Sequence, residues 1–325
     1  MKPTALAVAA CCVLGCITLF AQQGAAPAPE QEWIAPNIPG VVAGGTRVQM
    51  VAEFKGAING PIALPDGSGI LITEVAGNRI TKIDNNGKVS TFLDDTNGAL
   101  CLGFDPKGRL IANLTTPPGQ TKIAVLFPQG QTSVLSANFD GKGFGRPNDL
   151  VVDKKGGVYF TDPGASDAQI KAGYLRVEPA VYYVTPTGRT LKIADGIPEP
   201  NGIQLSPDER VLYIGDQAGD YVVAFDVQSD GAVRNRRNFA KVEFGAAAAA
   251  DGLAIDNAGR LYLSARLKNA VQIFSPQGQL LGTIPSLGPG SIAFGGPNKQ
   301  TLYLTGGGGV RKIQMLARGL TDRAK

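Results

Sequence analysis

Histidine is absent from all 325 residues. Its absence excludes a Ser-His-Asp or Cys-His nucleophilic site, a histidine-held zinc or iron, and imidazole acid-base chemistry. Cysteine is nearly absent too. Of four, Cys11, Cys12 and Cys16 crowd the start of the chain, and Cys101 stands alone beyond them, so there is no disulfide framework. Charged residues make up only 18% and the net charge is +4, too weak a bias for a nucleic-acid partner. Gly-x-Ser-x-Gly does not occur, which argues against a serine hydrolase. The chemistry left open rests on carboxylates, amides, hydroxyls, Lys and Arg, with a hard metal ion as the natural helper. What the chain has in excess is 43 glycines and 22 prolines, spread among short apolar runs in a sequence that is 43% apolar. That mixture points to a well-cored all-β protein with many tight turns.

Met1-Lys2 followed by the apolar stretch Ala5 to Ala21 has the form of a secretory signal, with cleavage after Ala21. It falls short of the ~20 apolar residues of a spanning helix, so no membrane span is expected in the mature chain. Export to the periplasm or medium follows. Lipidation at Cys16 is the weaker alternative, because Leu14 is bulky and Ile17 to Phe20 remain apolar. Residues 22–44, rich in Ala, Pro, Gln and Gly, show no periodic apolar face and read as a flexible leader.

From there a pattern repeats: an apolar strand, a turn of Asp, Pro, Gly or Asn, and a second apolar strand. Its copies are Ile62 to Thr73, Leu102 to Ala112, Leu150 to Thr161, Ile203 to Ile214, Leu253 to Leu263 and Ile292 to Leu304. The copies recur roughly every 40–55 residues, the period of a four-stranded propeller blade. Second hairpins lie between them, around Asn86-Gly87, Thr187-Gly188 and Gln277-Gly278. The expectation is an all-β, six-bladed β-propeller over residues 45–318, with residues 319–325 as a C-terminal tail. The last copy lacks a fourth strand, and the strand Arg47 to Phe54 is expected to supply it and close the ring.

In a propeller, the residues just before the innermost strands converge at one mouth of the axial channel. Aligning the copies puts Asn59, Leu100, Asn148, Asn201, Asp251 and Ser291 there. All but Leu100 carry side-chain oxygen, and a ring of such oxygens suits calcium or magnesium. Taken singly, Asn201-Gly202 and Asp251-Gly252 are ordinary turn dipeptides, and Asn148-Asp149 a loop cap. Their shared phase is what points to a site. Other features carry less: Cys101 reads as a small buried hydrophobe, Gly306 to Gly309 as a loop between outer strands, and Arg234, Arg236 and Arg237 as a solvated edge.

At these motifs the chain resembles the regucalcin/gluconolactonase family of six-bladed propeller lactonases. The resemblance is carried by Gly145-Arg-Pro-Asn-Asp-Leu-Val-Val-Asp153 with Gly157-Val-Tyr-Phe-Thr-Asp-Pro163, and by Pro200-Asn-Gly-Ile203 with Leu205-Ser-Pro-Asp208. Asp251-Gly-Leu-Ala-Ile-Asp256 and Ala293-Phe-Gly-Gly-Pro297 with Thr301-Leu-Tyr303 extend it over residues 45 to 315. It implies one divalent cation, calcium first with Mg2+, Mn2+ or Zn2+ as alternatives, held by Asn59, Asn201 and Asp251. It also implies substrate contacts from Arg146 and Asn148, and a small-molecule lactone or sugar acid as partner. The implied reaction is cation-assisted ester hydrolysis, with Asp251, the one carboxylate in the ring, as the base. The chain departs from the family at its first ligand, where Asn59-Gly60-Pro61 replaces Glu-Gly-Pro, and Glu74 stands where the family usually has Asp. Two alternatives stay open: an exported ligand-binding propeller without catalysis, and a related metal-dependent esterase or phosphotriesterase.

Overall fold

The computed structural model describes residues 32–323 and 325. The expected signal segment and the first part of the expected leader lie outside the described residues.

The recurring turn explains the repeat. Asp105 Oδ1 accepts the backbone N–H groups of Lys107 at 3.0 Å and Arg109 at 2.8 Å, pinning the reversal between two strands. Asp153 does the same for Lys155 and Gly157, and Asp256 for Ala258 and Arg260. A short carboxylate is needed there because the turn's amides have no strand partner. Each such hairpin forms the inner half of a blade.

Six antiparallel four-stranded sheets result. Blade 1 begins with Ile58–Ala63 and Gly69–Glu74, blade 2 with Ala99–Phe104 and Leu110–Leu114, and blade 3 with Leu150–Val152 and Val158–Asp162. Blade 4 begins with Pro200–Leu205 and Val211–Asp216, blade 5 with Ala250–Ile255 and Leu261–Ala265, and blade 6 with Pro289–Gly295 and Thr301–Gly306. Neighbouring innermost strands touch all the way round, and the ring is closed as expected. Gln49–Glu53 runs antiparallel to Gly309–Gln314 and completes blade 6. The six-bladed propeller read from the repeat is the fold.

Apolar packing joins blade to blade. Successive residues of a strand face opposite sides of the sheet. Leu110 and Ala112 therefore pack on blade 1 while Ile111 packs on blade 3. Leu261 and Leu263 pack on blade 4, while Tyr262 packs on blade 6. Both faces being buried, the inner strands are apolar almost throughout instead of alternating. The outermost strands, such as Val89–Leu93, are largely exposed, and the Arg234 to Arg237 run lies on one of them.

Part of the expected flexible leader is instead packed. Residues 34–48 belong to the propeller body: Ile34 bridges Arg47, Ile38 bridges Val42, and Ile38, Val41 and Val42 are buried between blades 5 and 6. These apolar residues lack a regular period because they fill a gap between blades and do not line one face. Ile38 occupies the space that a Cβ on Gly282 would need. Ile38→Ala is expected to lower the unfolding free energy by about 3 kcal/mol in urea denaturation. A loosely attached leader would give no shift.

At the other end, residues 316–323 cross the turns that follow the innermost strands. Leu316 and Ala317 N–H groups donate to Val41 O, and Gly319 N–H donates to Lys299 O. Leu320 and Arg323 are buried, so the expected tail is packed onto the body too. Among the described residues no helix is long and apolar enough to cross a membrane.

Candidate active site

A β-bulge builds the mouth. In five blades the innermost strand breaks register with its neighbour near its start, between Asn59 and Ile62, Ala99 and Leu102, Pro200 and Ile203, Ala250 and Leu253, and Pro289 and Ile292. A bulge lifts side chains off the regular pleat and re-aims them. Asn59, Asn201 and Asp251 each sit on one, so these Asn-Gly and Asp-Gly pairs are strand bulges, and the ordinary turn reading is set aside. Glycine follows because the next blade's innermost strand passes close by. A Cβ on Gly202 would lie 2.2 Å from Asp251 O, and one on Gly252 would lie 2.7 Å from Ser291 Cα. In blade 3, Asn148 precedes the strand and its N–H donates to Thr161 O at 2.8 Å.

Side chains one strand further out tie adjacent bulges together. Thr73 Oγ1 donates to Leu100 O at 2.8 Å, and Thr161 Oγ1 to Asn201 O at 2.6 Å. Asn113 Nδ2 donates to Pro147 O at 2.9 Å and to Asn148 O, and Ser264 Oγ donates to Gly290 O. Each bond runs from one blade to the next, so these four junctions at the mouth are fixed before any ligand arrives.

Of the polar ring, Asn59 and Asp251 border one cavity of about 570 Å³ together with Arg266, Leu267, Asn269 and the glycine turn 306–308. Asn59 Oδ1 accepts Gly60 N–H at 2.7 Å and the Ser291 hydroxyl, with Cys101 Sγ 3.8 Å away. Cys101 is buried, and burial pushes its thiol well above the ordinary range, in keeping with an inert role. Asn201 is buried and donates through Nδ2 to Gln217 Oε1 at 2.7 Å, which leaves its Oδ1 available. Gln217 Nε2 donates in turn to Glu199 Oε1 at 2.9 Å. Burial, and then Asp216, raises the Glu199 carboxyl.

Asp251 is the electrostatic centre. Its side chain is 16% exposed, and Arg266 Nε lies 3.3 Å from Oδ2. Burial pushes its carboxyl up to about 6, and Asp149 adds to the rise, while Arg266, Arg146 and Lys325 oppose it. Arg146 is thus close enough to Asp251 to act on it electrostatically. Its backbone N–H is fixed by Asp162 Oδ1 at 2.9 Å, and the same buried carboxylate accepts Gly145 and Gly164 N–H groups. Asn148 is half-buried and its side-chain amide makes no hydrogen bond among the described residues.

Glu74 is not part of this ring. Its carboxylate pairs with Arg79 at 2.9 Å, and that bond holds it below the ordinary carboxylate range.

As a donor set, the ring offers the oxygens of Asn59 and Asn201 and one carboxylate, Asp251. Among the described residues no three His, Cys, Asp or Glu side chains cluster as metal ligands do. The set is therefore a hard-oxygen one dominated by neutral amides. It fits calcium-type coordination, in which amide and carbonyl oxygens serve beside carboxylates.

Sequence reasoning missed Arg266, Gln217, Glu199 and Lys325. The first two follow the second strands of their blades, directly beyond Ala265 and Asp216. Aligning the copies at that end, as was done for the innermost strands, exposes both. Lys325, far along the chain, leaves no such signal.

Comparison with known proteins bears on the family and the fold. A gluconolactonase of Zymomonas mobilis is 30% identical over 86% of this chain and 84% of its own length. A 6-deoxy-6-sulfogluconolactonase of Pseudomonas putida is 29% identical over 75% of this chain and 81% of its own. The solved structure of a gluconolactonase from Xanthomonas campestris superposes with a TM-score of 0.76 at 26% identity, covering 88% of this chain and 95% of that one. The family model described as the SMP-30/gluconolactonase/LRE-like region matches residues 58–307, from the first bulged strand to the glycine turn at the mouth, and the chain belongs to that family.

Proposed function

We propose that this lactonase opens sugar lactones at the bulged mouth of its axial channel, with a divalent cation, calcium first, held by Asn59, Asn201 and Asp251. The observation that carries the reading is the convergence of Asn59 and Asp251 on one cavity, with Arg266 beside them. A cation bound there would supply Lewis-acid polarisation of the lactone carbonyl. The chain's own residues do the rest. Arg146, with its backbone clamped by Asp162, and the open amide of Asn148 hold the ring hydroxyls of the substrate. Asp251 Oδ1, the oxygen not engaged by Arg266, takes a proton from the attacking water as its oxygen joins the carbonyl carbon. The ring C–O bond then breaks, the leaving ring oxygen takes that proton from Asp251, and the product is a hydroxy acid with the Asp251 carboxylate regenerated.

One feature favours the non-catalytic binding reading: Arg266 already neutralises the ring's one carboxylate. A single assay separates the two. Glucono-δ-lactone hydrolysis is followed by pH-stat with chelated protein and with calcium added back. Turnover that disappears on chelation and returns with calcium supports the lactonase reading. Lactone binding without turnover in either state supports the binding propeller, and full turnover after chelation removes the cation from the reading.

A further inference from the structure

Below the ring, the channel holds a buried ion pair outside the donor set already described. Lys325 Nζ contacts Asp149 Oδ1 and donates to Leu150 O at 3.1 Å, with side chains only 9% and 4% exposed. The lysine enters from the end opposite the mouth. Arg323, two residues earlier, is held at Leu205 O at 2.6 Å and at Glu209, where the blade-4 innermost strand ends and turns. Asp322 pairs with Lys154 in the corresponding turn of blade 3. Lys325 and Asp149 border a narrow axial space with Gly60, Cys101, Gly252 and Ser291, the neighbours of Asn59 and Asp251. Asp149 is also the link between two blades: its carboxylate accepts the N–H groups of Leu150 at 2.8 Å and Ile203 at 3.1 Å.

We infer that Lys325 is a positioning residue of the axial site, an internal cation that closes the far end of the channel and masks the charge of Asp149 from the ring above. Burying a carboxylate at the axis is costly unless it is paired. The ammonium provides that pairing, and it lets Asp149 hold the strands that carry Asn148 and Asn201 without adding a second anion beneath Asp251. The pair borders the same narrow space as Gly60 and Gly252, the residues next to Asn59 and Asp251. The cation preference of the mouth is therefore set partly by a residue that touches neither cation nor substrate. This inference rests on the cation reading only where calcium is measured.

The test is a double-mutant cycle of Lys325→Met and Asp149→Asn in the full chain, read by thermal unfolding and by calorimetric titration of calcium. Lys325→Met is expected to melt well below the parent, because it strands a buried carboxylate, and the double variant to recover much of that loss. With Asp149 unmasked, Lys325→Met should bind calcium on the order of tenfold more tightly, and the double variant should return to the parent's affinity. A plug that serves the fold alone would melt lower yet bind calcium no more tightly. That result, or melting shifts that simply add, overturns the inference. If the parent binds no calcium, the cation reading of the mouth fails separately. Calcium binding gained by Lys325→Met then still supports masking, and none gained overturns it.

Discussion

Asp251→Ala is expected to abolish calcium-dependent lactone hydrolysis, with kcat/KM falling by about three orders of magnitude, because in the proposed mechanism it takes away both the proton acceptor and the one anionic ligand. The fold should not suffer. Among the described residues the Asp251 side chain is held by Arg266 alone, and its carboxyl sits above the ordinary range at about 6. A carboxyl raised in the folded state contributes stability while it is protonated, at low pH, and loses that contribution as pH rises through the folded value. At pH 7.5 the ionised side chain is therefore a cost in chelated protein, and alanine should leave the melting temperature equal or higher. Circular dichroism melts in chelator, beside steady-state kinetics in calcium, check both halves. A variant that hydrolyses lactone like its parent would remove Asp251 from the reaction.

Asn59→Glu is expected to tighten calcium binding about ten- to a hundredfold, or roughly 1–3 kcal/mol after carboxylate repulsion and desolvation are counted. Asn59 already borders the cavity of Asp251, with its Oδ1 drawn to Gly60 N–H and Ser291. A carboxylate there brings a second anionic oxygen to the cation, together with a possible two-oxygen grip. Activity at low calcium should rise with affinity. In chelated protein the same change sets two carboxylates against each other and should lower stability. Calorimetric titration of parent and variant decides the matter. Equal or weaker binding by the variant would place Asn59 outside the ligand set and would instead favour a mouth that works without metal.

The propeller was legible because its physics is repetitive. Asp105, Asp153 and Asp256 each pin the same turn, and inner strands packed on both faces leave uninterrupted apolar runs on either side of it. The ring was legible for a related reason. A bulge needs glycine where the next blade comes close, so Gly60, Gly202 and Gly252 mark the residues before them. What escaped was whatever has no period. Ile38, Val41 and Val42 fill an irregular gap between blades, so their composition resembled that of a linker. Arg266 stands beyond the end of a strand, and its role depends on a carboxylate fifteen residues earlier that only the bulge turns toward it. Lys325 reaches Asp149 across most of the chain, and nothing local to either residue forecasts the pair.

The most direct measurement is the anomalous density of crystals of the parent protein grown with manganese, a hard cation that scatters strongly enough to be located. The expected result is one axial peak at coordination distance, about 2.0–2.6 Å, from Asn59 Oδ1, Asn201 Oδ1 and an Asp251 carboxylate oxygen. A mouth without a peak, in a protein that still hydrolyses lactones in the same manganese buffer, would contradict the cation-assisted site.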